Sequence, residues 1–222
     1  MYIGHSFRLV ALILLCSILQ FACASRRQPA QTNASIRPHP KTYVFECKDK
    51  SSFTVQFEED RAWLFLPVGY LSVPRVPVTS GAKYSDGKTS IWYRGKDALI
   101  QVGGRAHGIC VNNPLEVVWE QARLAGADFR AVGANPEWYM EIHDGEKILF
   151  VTDRGANRHE FPLAALKDVE PIATYKVQKG TQQLKVVVSE QECRDVSSGK
   201  KFEKTVTVDL NGRGYRGCGK SL

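Results

Sequence analysis

Four cysteines lie beyond the N-terminal apolar run, Cys47, Cys110, Cys193 and Cys218, and they limit the folds open to this chain more than any other feature. Four thiols can pair in three ways. Two fall in each half of the remaining sequence, which suggests one bridge per half, Cys47–Cys110 and Cys193–Cys218. No Cys-x-x-Cys pair and no neighbouring pair of histidines accompanies them, so the spacing speaks against a zinc site. No cofactor or metal is expected. Each bridge would stabilise its half by about 3–4 kcal/mol in the chain-entropy picture. Two halves with modest cores can stay folded that way.

The disulfide reading needs an oxidising compartment, and the N-terminus supplies it. Arg8 is the only charged side chain ahead of the apolar run Leu9–Leu19. That run falls short of the ~20 residues a membrane span needs and ends in small residues, as a secretory signal does. Two cuts are open. Ala22-Cys23-Ala24 fits cleavage before Ser25, or Cys23 is the acylated first residue of a lipoprotein, with Gln20 and Phe21 departing from the usual lipobox. The lipoprotein reading is preferred: residues 1–23 as signal peptide, Cys23 as lipid anchor, and a periplasmic, outer-membrane location. The alternative is a soluble periplasmic protein. Residues 24–41 hold three prolines and three arginines with few large apolar groups, the composition of a flexible tether. Asn33-Ala34-Ser35 is only nominally a glycosylation triplet.

Residues 42–112 read as short strands with turn punctuation. Candidates are Thr42–Cys47, Phe53–Glu58, Ala62–Leu66, Ser90–Tyr93 and Ala98–Val102, with turns at Glu59-Asp60, Ser85-Asp86-Gly87 and Gly103-Gly104. Nothing there sustains a helical period, which argues for a small antiparallel barrel or sandwich. Pro114–Leu124 is the best helix candidate, with Val117, Val118, Gln121 and Leu124 as its facing set. Strands return at Trp138–Ile142, Ile148–Thr152, Thr174–Val177, Leu184–Val188 and Val206–Leu210. The expectation is a mainly β protein whose first domain, 42–112, is followed by a second β-rich domain, 113–222, with the helix as the join.

Charge is uneven. Residues 41–112 carry ten Lys/Arg against seven Asp/Glu, and residues 113–222 are balanced. The excess of the whole chain, +7, therefore sits in the tether and first domain, where it can rest on anionic lipid head groups. Nucleic acid is a poor partner for an exported chain with so mild an excess.

The densest chemistry is in Ser80–Asp97, where two glycine-bearing turns, Ser80-Gly81 and Arg94-Gly95, are separated by about one hairpin and can present side chains side by side. Ser80-Gly81-Ala82-Lys83, Ser85-Asp86-Gly87 and Lys88-Thr89-Ser90 spell the three elements of penicillin-recognising serine enzymes. That mechanism needs the serine at the start of a buried helix and the other elements from distant segments. Here all three fall in one short β stretch, so no enzyme is expected.

A family accounts for these residues better. Tyr43–Cys47, Phe53-Thr54-Val55, Ala62–Pro67, Ser80–Gly87, Ile91–Gly95 and Cys110 together resemble the membrane-bound and periplasmic inhibitors of c-type lysozyme. The resemblance implies an eight-stranded antiparallel β-barrel. It also implies that Ser80 and Arg94, which stand at the family's serine and lysine positions, enter the lysozyme active site. Gly81, Tyr84, Gly95 and Lys96 complete the expected lysozyme-binding set, with Tyr84 and Trp92 read as packing residues ahead of contacts. A retaining glycosidase holds two carboxyl groups about 5 Å apart, and a cation with a hydroxyl between them forms charge-assisted hydrogen bonds. Arginine replaces the family lysine here; it is longer, planar and bidentate.

The second half gives less. Gly126–Gly133, Asn135–Tyr139, Cys193–Gly199 and Gly217-Cys218-Gly219 resemble an uncharacterised domain of bacterial envelope proteins, which supplies no chemistry. His143 and His159 are isolated. Trp138 and Tyr139 read as core packing ahead of a sugar-binding face. The competing function is a non-inhibitory envelope module that holds peptidoglycan or an envelope protein.

Overall fold

Period-2 alternation in Phe53-Thr54-Val55-Gln56-Phe57 sends alternate side chains to opposite faces of a strand. The computed structural model builds from such strands and describes residues 40–164 and 172–222. The expected signal peptide, the tether up to residue 39, the Asn33 triplet and the anchor at Cys23 lie outside the described residues.

The first eight strands are β1 (Lys41–Cys47), β2 (Ser52–Phe57), β3 (Arg61–Leu66), β4 (Gly69–Val76), β5 (Ala82–Ser85), β6 (Ser90–Arg94), β7 (Asp97–Val102) and β8 (Arg105–Asn112). Each pairs antiparallel with the next, and β1 returns to β8, so the sheet is a closed barrel. Cys47 stands opposite Cys110 across that closing pair, and the two are bonded. Phe45, Val55, Leu64, Val73, Ile91 and Ile100 fill the interior. Sequence patterning missed three of these strands for physical reasons. In β4, Pro74 interrupts and most positions face outward; β5 has four residues; β8 is largely exposed beyond Cys110.

Helix α1 (Pro114–Leu124) follows at once. Asn113 caps it, its Oδ1 accepting from Leu115 N at 3.1 Å, and Pro114 occupies the first turn. The buried face is Trp119 and Ala122, not the expected set of Val117, Val118, Gln121 and Leu124. Both sides of the helix touch β structure, so its contacts follow the polar residues as well as the apolar ones. Toward the barrel, Thr54 Oγ1 donates to Glu120 Oε2 at 2.8 Å and Asn113 Nδ2 to Glu46 Oε1 at 2.9 Å. Away from it, Trp119 clusters with Phe202 and Cys218, and Glu116 is held by Lys200 and Lys220. Residues 40–222 accordingly form one unit.

Beyond the helix lie β9 (Phe129–Ala134), β10 (Glu137–His143), β11 (Lys147–Thr152), β12 (Asn157–Pro162), β13 (Ile172–Lys179), β14 (Gln182–Ser189), β15 (Cys193–Arg194), β16 (Lys201–Phe202), β17 (Lys204–Leu210) and β18 (Arg213–Ser221). Eight of them make a second sheet in the order β12-β11-β10-β9-β18-β17-β14-β13. In chain order its first strand, β9, pairs with its last, β18, as β1 pairs with β8 in the barrel, and the sheet is nearly closed. Strands β15 and β16 form a small separate hairpin, fastened to β18 by the Cys193–Cys218 bridge. The protein is thus mainly β, an eight-stranded barrel followed by a second β sheet, as expected.

Candidate functional site

One end of the barrel is floored by aromatic rings. Tyr43 meets Phe57 and Tyr93 at 5.3 and 5.1 Å between centroids, and Phe57 stacks on Tyr84 at 5.1 Å. Such contacts fix ring positions as well as burying area. The Tyr93 hydroxyl donates to that of Tyr43, and burial, aided by this bond, pushes Tyr93 up to about 12. Tyr84 belongs to this floor: it is 4% exposed and its hydroxyl donates to the Glu58 carbonyl. Of its two expected roles it takes the packing one, beneath the tips, because the pleat turns it inward.

Above the floor, the loop before β5 and the β6–β7 turn come together. Ala82 pairs with Tyr93, which sets Gly81 against Arg94. Gly81 has φ +73°, and a Cβ there would lie 2.4 Å from the Tyr93 carbonyl oxygen and 2.8 Å from Arg94 Cγ. Only glycine lets the two tips approach this closely. Arg94 faces Asp97 across a two-residue turn of Gly95 and Lys96, with Gly95 at φ +61°. The Lys96 carbonyl accepts from Asn112 N at 2.8 Å, while the residue itself is exposed.

Trp92 braces both tips. Its Nε1 donates to the Ser80 carbonyl at 3.1 Å, and the Arg94 guanidinium lies 4.3 Å over its ring. Ser80 and Arg94 are exposed. Among the described residues, no hydrogen bond engages the Ser80 hydroxyl and no acid pairs with Arg94. Ser80 starts no helix, and Lys83 lies over Trp92 instead of bonding Ser80. The arrangement can offer a hydroxyl and a cation to a carboxylate pair; it has no base to activate the serine.

Residues 45–108 match the family model of the membrane-bound lysozyme-inhibitor of c-type lysozyme. The match runs from Phe45 in β1 to Gly108 in β8 and includes Ser80, Gly81, Tyr84, Arg94, Gly95 and Lys96. No curated protein matches the chain, and no solved structure matches it. The match falls within the barrel, and the second sheet lies outside the matched residues.

A constellation that sequence reading missed sits at the opposite end of the barrel. His107 Nδ1 lies 3.0 Å from Ser51 Oγ and 2.8 Å from Asp49 Oδ2. Both contacts use one ring nitrogen, so this is a clamp between the β1–β2 turn and β8, not a nucleophile relay. Bonds from the Ser51 hydroxyl and amide, with His107 adding to them, hold Asp49 down at about 2. The residues are distant in sequence, and only the closure of the barrel brings them together.

In the second sheet, some charges are paired internally. Arg130 and Glu141 form a buried ion pair, and the Arg130 guanidinium lies 4.4 Å over Tyr139. Burial pulls Arg130 below its ordinary value while Glu141 opposes the shift. His143 is buried with Nε2 3.7 Å from Glu141, and half-buried His159 faces Gln182. Trp138 packs in the core. Tyr139, on the other face, lines a cleft of about 450 Å³ with Val132, Glu137, Arg154 and Asp195.

Proposed function

We propose that this protein inhibits c-type lysozyme by lodging Arg94 and Ser80 between the catalytic carboxyl groups of the enzyme, protecting peptidoglycan from lysis. The family match supports a lysozyme-inhibitor role. The observation that carries the mechanism is the pairing of two exposed tips, held side by side by Gly81 and by Trp92, with a hydroxyl that no described residue bonds and a guanidinium that no described acid pairs. A guanidinium fork bonds a carboxylate through two parallel N–H groups. Bracing by Trp92 lowers the side-chain entropy lost on binding. Inhibition needs no chemistry in the inhibitor: an occupied acid cannot protonate the glycosidic oxygen.

The test is a turbidity assay of cell-wall lysis by c-type lysozyme with the mature chain. Arg94→Ala should weaken inhibition by about 2–5 kcal/mol, the cost of breaking a buried interfacial charge pair. Unchanged inhibition in that variant sinks the insertion mechanism, and no slowing by the wild type at large molar excess sinks the inhibitor reading.

The cleft lined by Tyr139 favours a second reading, in which the second sheet holds an envelope ligand such as peptidoglycan. Its volume falls in the range of small-molecule sites. Retention of the Arg94→Ala variant on purified cell-wall sacculi, abolished by Tyr139→Ala, would support it; wild-type protein that does not sediment with sacculi would remove it. In either reading, the proposed location is the periplasmic envelope, through the anchor at Cys23, and the proposed division of the chain is 42–112 and 113–222.

A further inference from the structure

A serine and an arginine supply only a fraction of the surface that a specific complex covers, about 800 Å² on each partner. The surface around the two tips must therefore meet the enzyme as well. The rim of the barrel is unequal on its two sides. The β2–β3 loop is Glu58-Glu59-Asp60, and it lies beside β4 and β5: Arg75 N bonds the Asp60 carbonyl and Tyr84 bonds the Glu58 carbonyl. Arg61 pairs with Glu58 and Asp60, while Glu59 is exposed. An enzyme cleft lined by carboxylates is repelled there. On the other side, the wall below Arg94 is apolar. Trp92 stands opposite Leu99, and Leu99 opposite Ile109, a cross-strand row on the outer face of β6, β7 and β8. Leu99, Ile109 and Val111 are 45%, 51% and 46% exposed. Between the row and Arg94 opens a notch of about 180 Å³ lined by Trp92, Arg94, Asp97, Ala98, Leu99 and Ile109.

We infer that this wall, from Trp92 through Leu99 to Ile109, is the second part of the enzyme-binding surface, taking an uncharged apolar ridge beside the carboxylate cleft of the lysozyme. The inference rests on the lysozyme reading and adds a direction to it: the enzyme sits over the β6–β8 side of the rim and away from the β2–β3 loop. Trp92 couples the two parts, because its ring carries Arg94 on one flank and begins the apolar row on the other. Apolar contact around a charged pair excludes water from it and strengthens it.

The experiment measures the inhibition constant of the mature chain against c-type lysozyme for Leu99→Asp, Ile109→Asp and Leu99→Ala. Val196→Asp serves as control, because Val196 is exposed on the β15–β16 hairpin, outside the barrel. Each aspartate on the wall should raise the constant at least about tenfold, as loss of a contact near the centre of an interface does. Leu99→Ala should raise it less, and Val196→Asp should leave it unchanged. Thermal melts identify any variant that fails to fold; Leu99→Ala, half exposed, then carries the decision. Wild-type inhibition unchanged by all the wall substitutions overturns the inference and leaves the lysozyme reading standing. Absence of inhibition by the wild type overturns both. Sedimentation of the same variants adds a further arm: a dimer split by Leu99→Asp with an unaltered inhibition constant would assign the wall to a second copy of this chain and overturn the inference.

Discussion

The two β regions share a plan and differ in where a buried or braced charge is answered. Each runs eight strands up and down and pairs its first strand with its last, β1 with β8 and β9 with β18. In each, the weakest join is between the fourth and fifth strands: β4 and β5 share two residue pairs, and β12 and β13 share none among the described residues. In the barrel, that join is followed by the exposed tips of Ser80 and Arg94. In the second region the prominent charges answer one another, Arg130 with Glu141 and Glu116 with Lys200 and Lys220. A buried pair costs desolvation that its own attraction must offset; an exposed cation left unpaired on a braced tip costs little and is ready for a partner. The difference teaches where to look for function: in unanswered charge, not in charge as such.

Breaking the buried pair should give the largest effect. Arg130→Ala leaves Glu141 buried without its guanidinium and should cost about 3–5 kcal/mol in denaturant unfolding, while inhibition per folded molecule stays unchanged. If inhibition falls with stability intact, the contrast between the regions fails.

Removing the bridge that closes the barrel comes next. Cys47→Ala with Cys110→Ala opens a loop of 63 residues and should cost about 3–4 kcal/mol. Removing Cys193–Cys218, with a separation of 25, should cost less. Unfolding curves of the two double variants rank them.

A smaller substitution separates the tips. Gly81→Ala takes on a left-handed φ, which by itself costs about 1–2 kcal/mol, and places a methyl against the Tyr93 carbonyl and Arg94, which adds to it. Inhibition should weaken though Ser80 and Arg94 are both retained; an unchanged inhibition constant would mean that their adjacency is not needed.

The smallest effect is at the far end and depends on pH. The folded pKa of Asp49, about 2, lies below the ordinary 3.8, so its bonds stabilise the fold above about pH 4 and are lost as pH falls toward 2. Asp49→Asn should flatten that part of the acid-unfolding curve. Coincident curves for wild type and variant between pH 4 and 2 would remove the clamp.

Much of this is legible in the sequence. Phe53–Phe57 alternates, Pro114–Leu124 reads as a helix, and the spacing of Ser80-Gly81 and Arg94-Gly95 marks two neighbouring tips, because strand period, helical pattern and turn chemistry are local. The bridges followed from count and placement. What was not legible was tertiary in cause. The helix face was misassigned because α1 is clamped between two β surfaces by Glu116, Glu120 and Trp119, and a single apolar stripe cannot describe that. Tyr84 sits in the motif but turns inward, since the pleat of a four-residue strand is fixed by its partners.

By itself, then, the sequence determined the strand-rich class, the helix at 114–124, the bridges and the residues of the two tips. Tertiary structure alone decided that Gly81 lies against Arg94, that Trp92 braces both, that an apolar wall runs down from them, and that Asp49, Ser51 and His107 meet. Each of these is a contact between strands, set by register and barrel closure, and register depends on residues far apart in the chain.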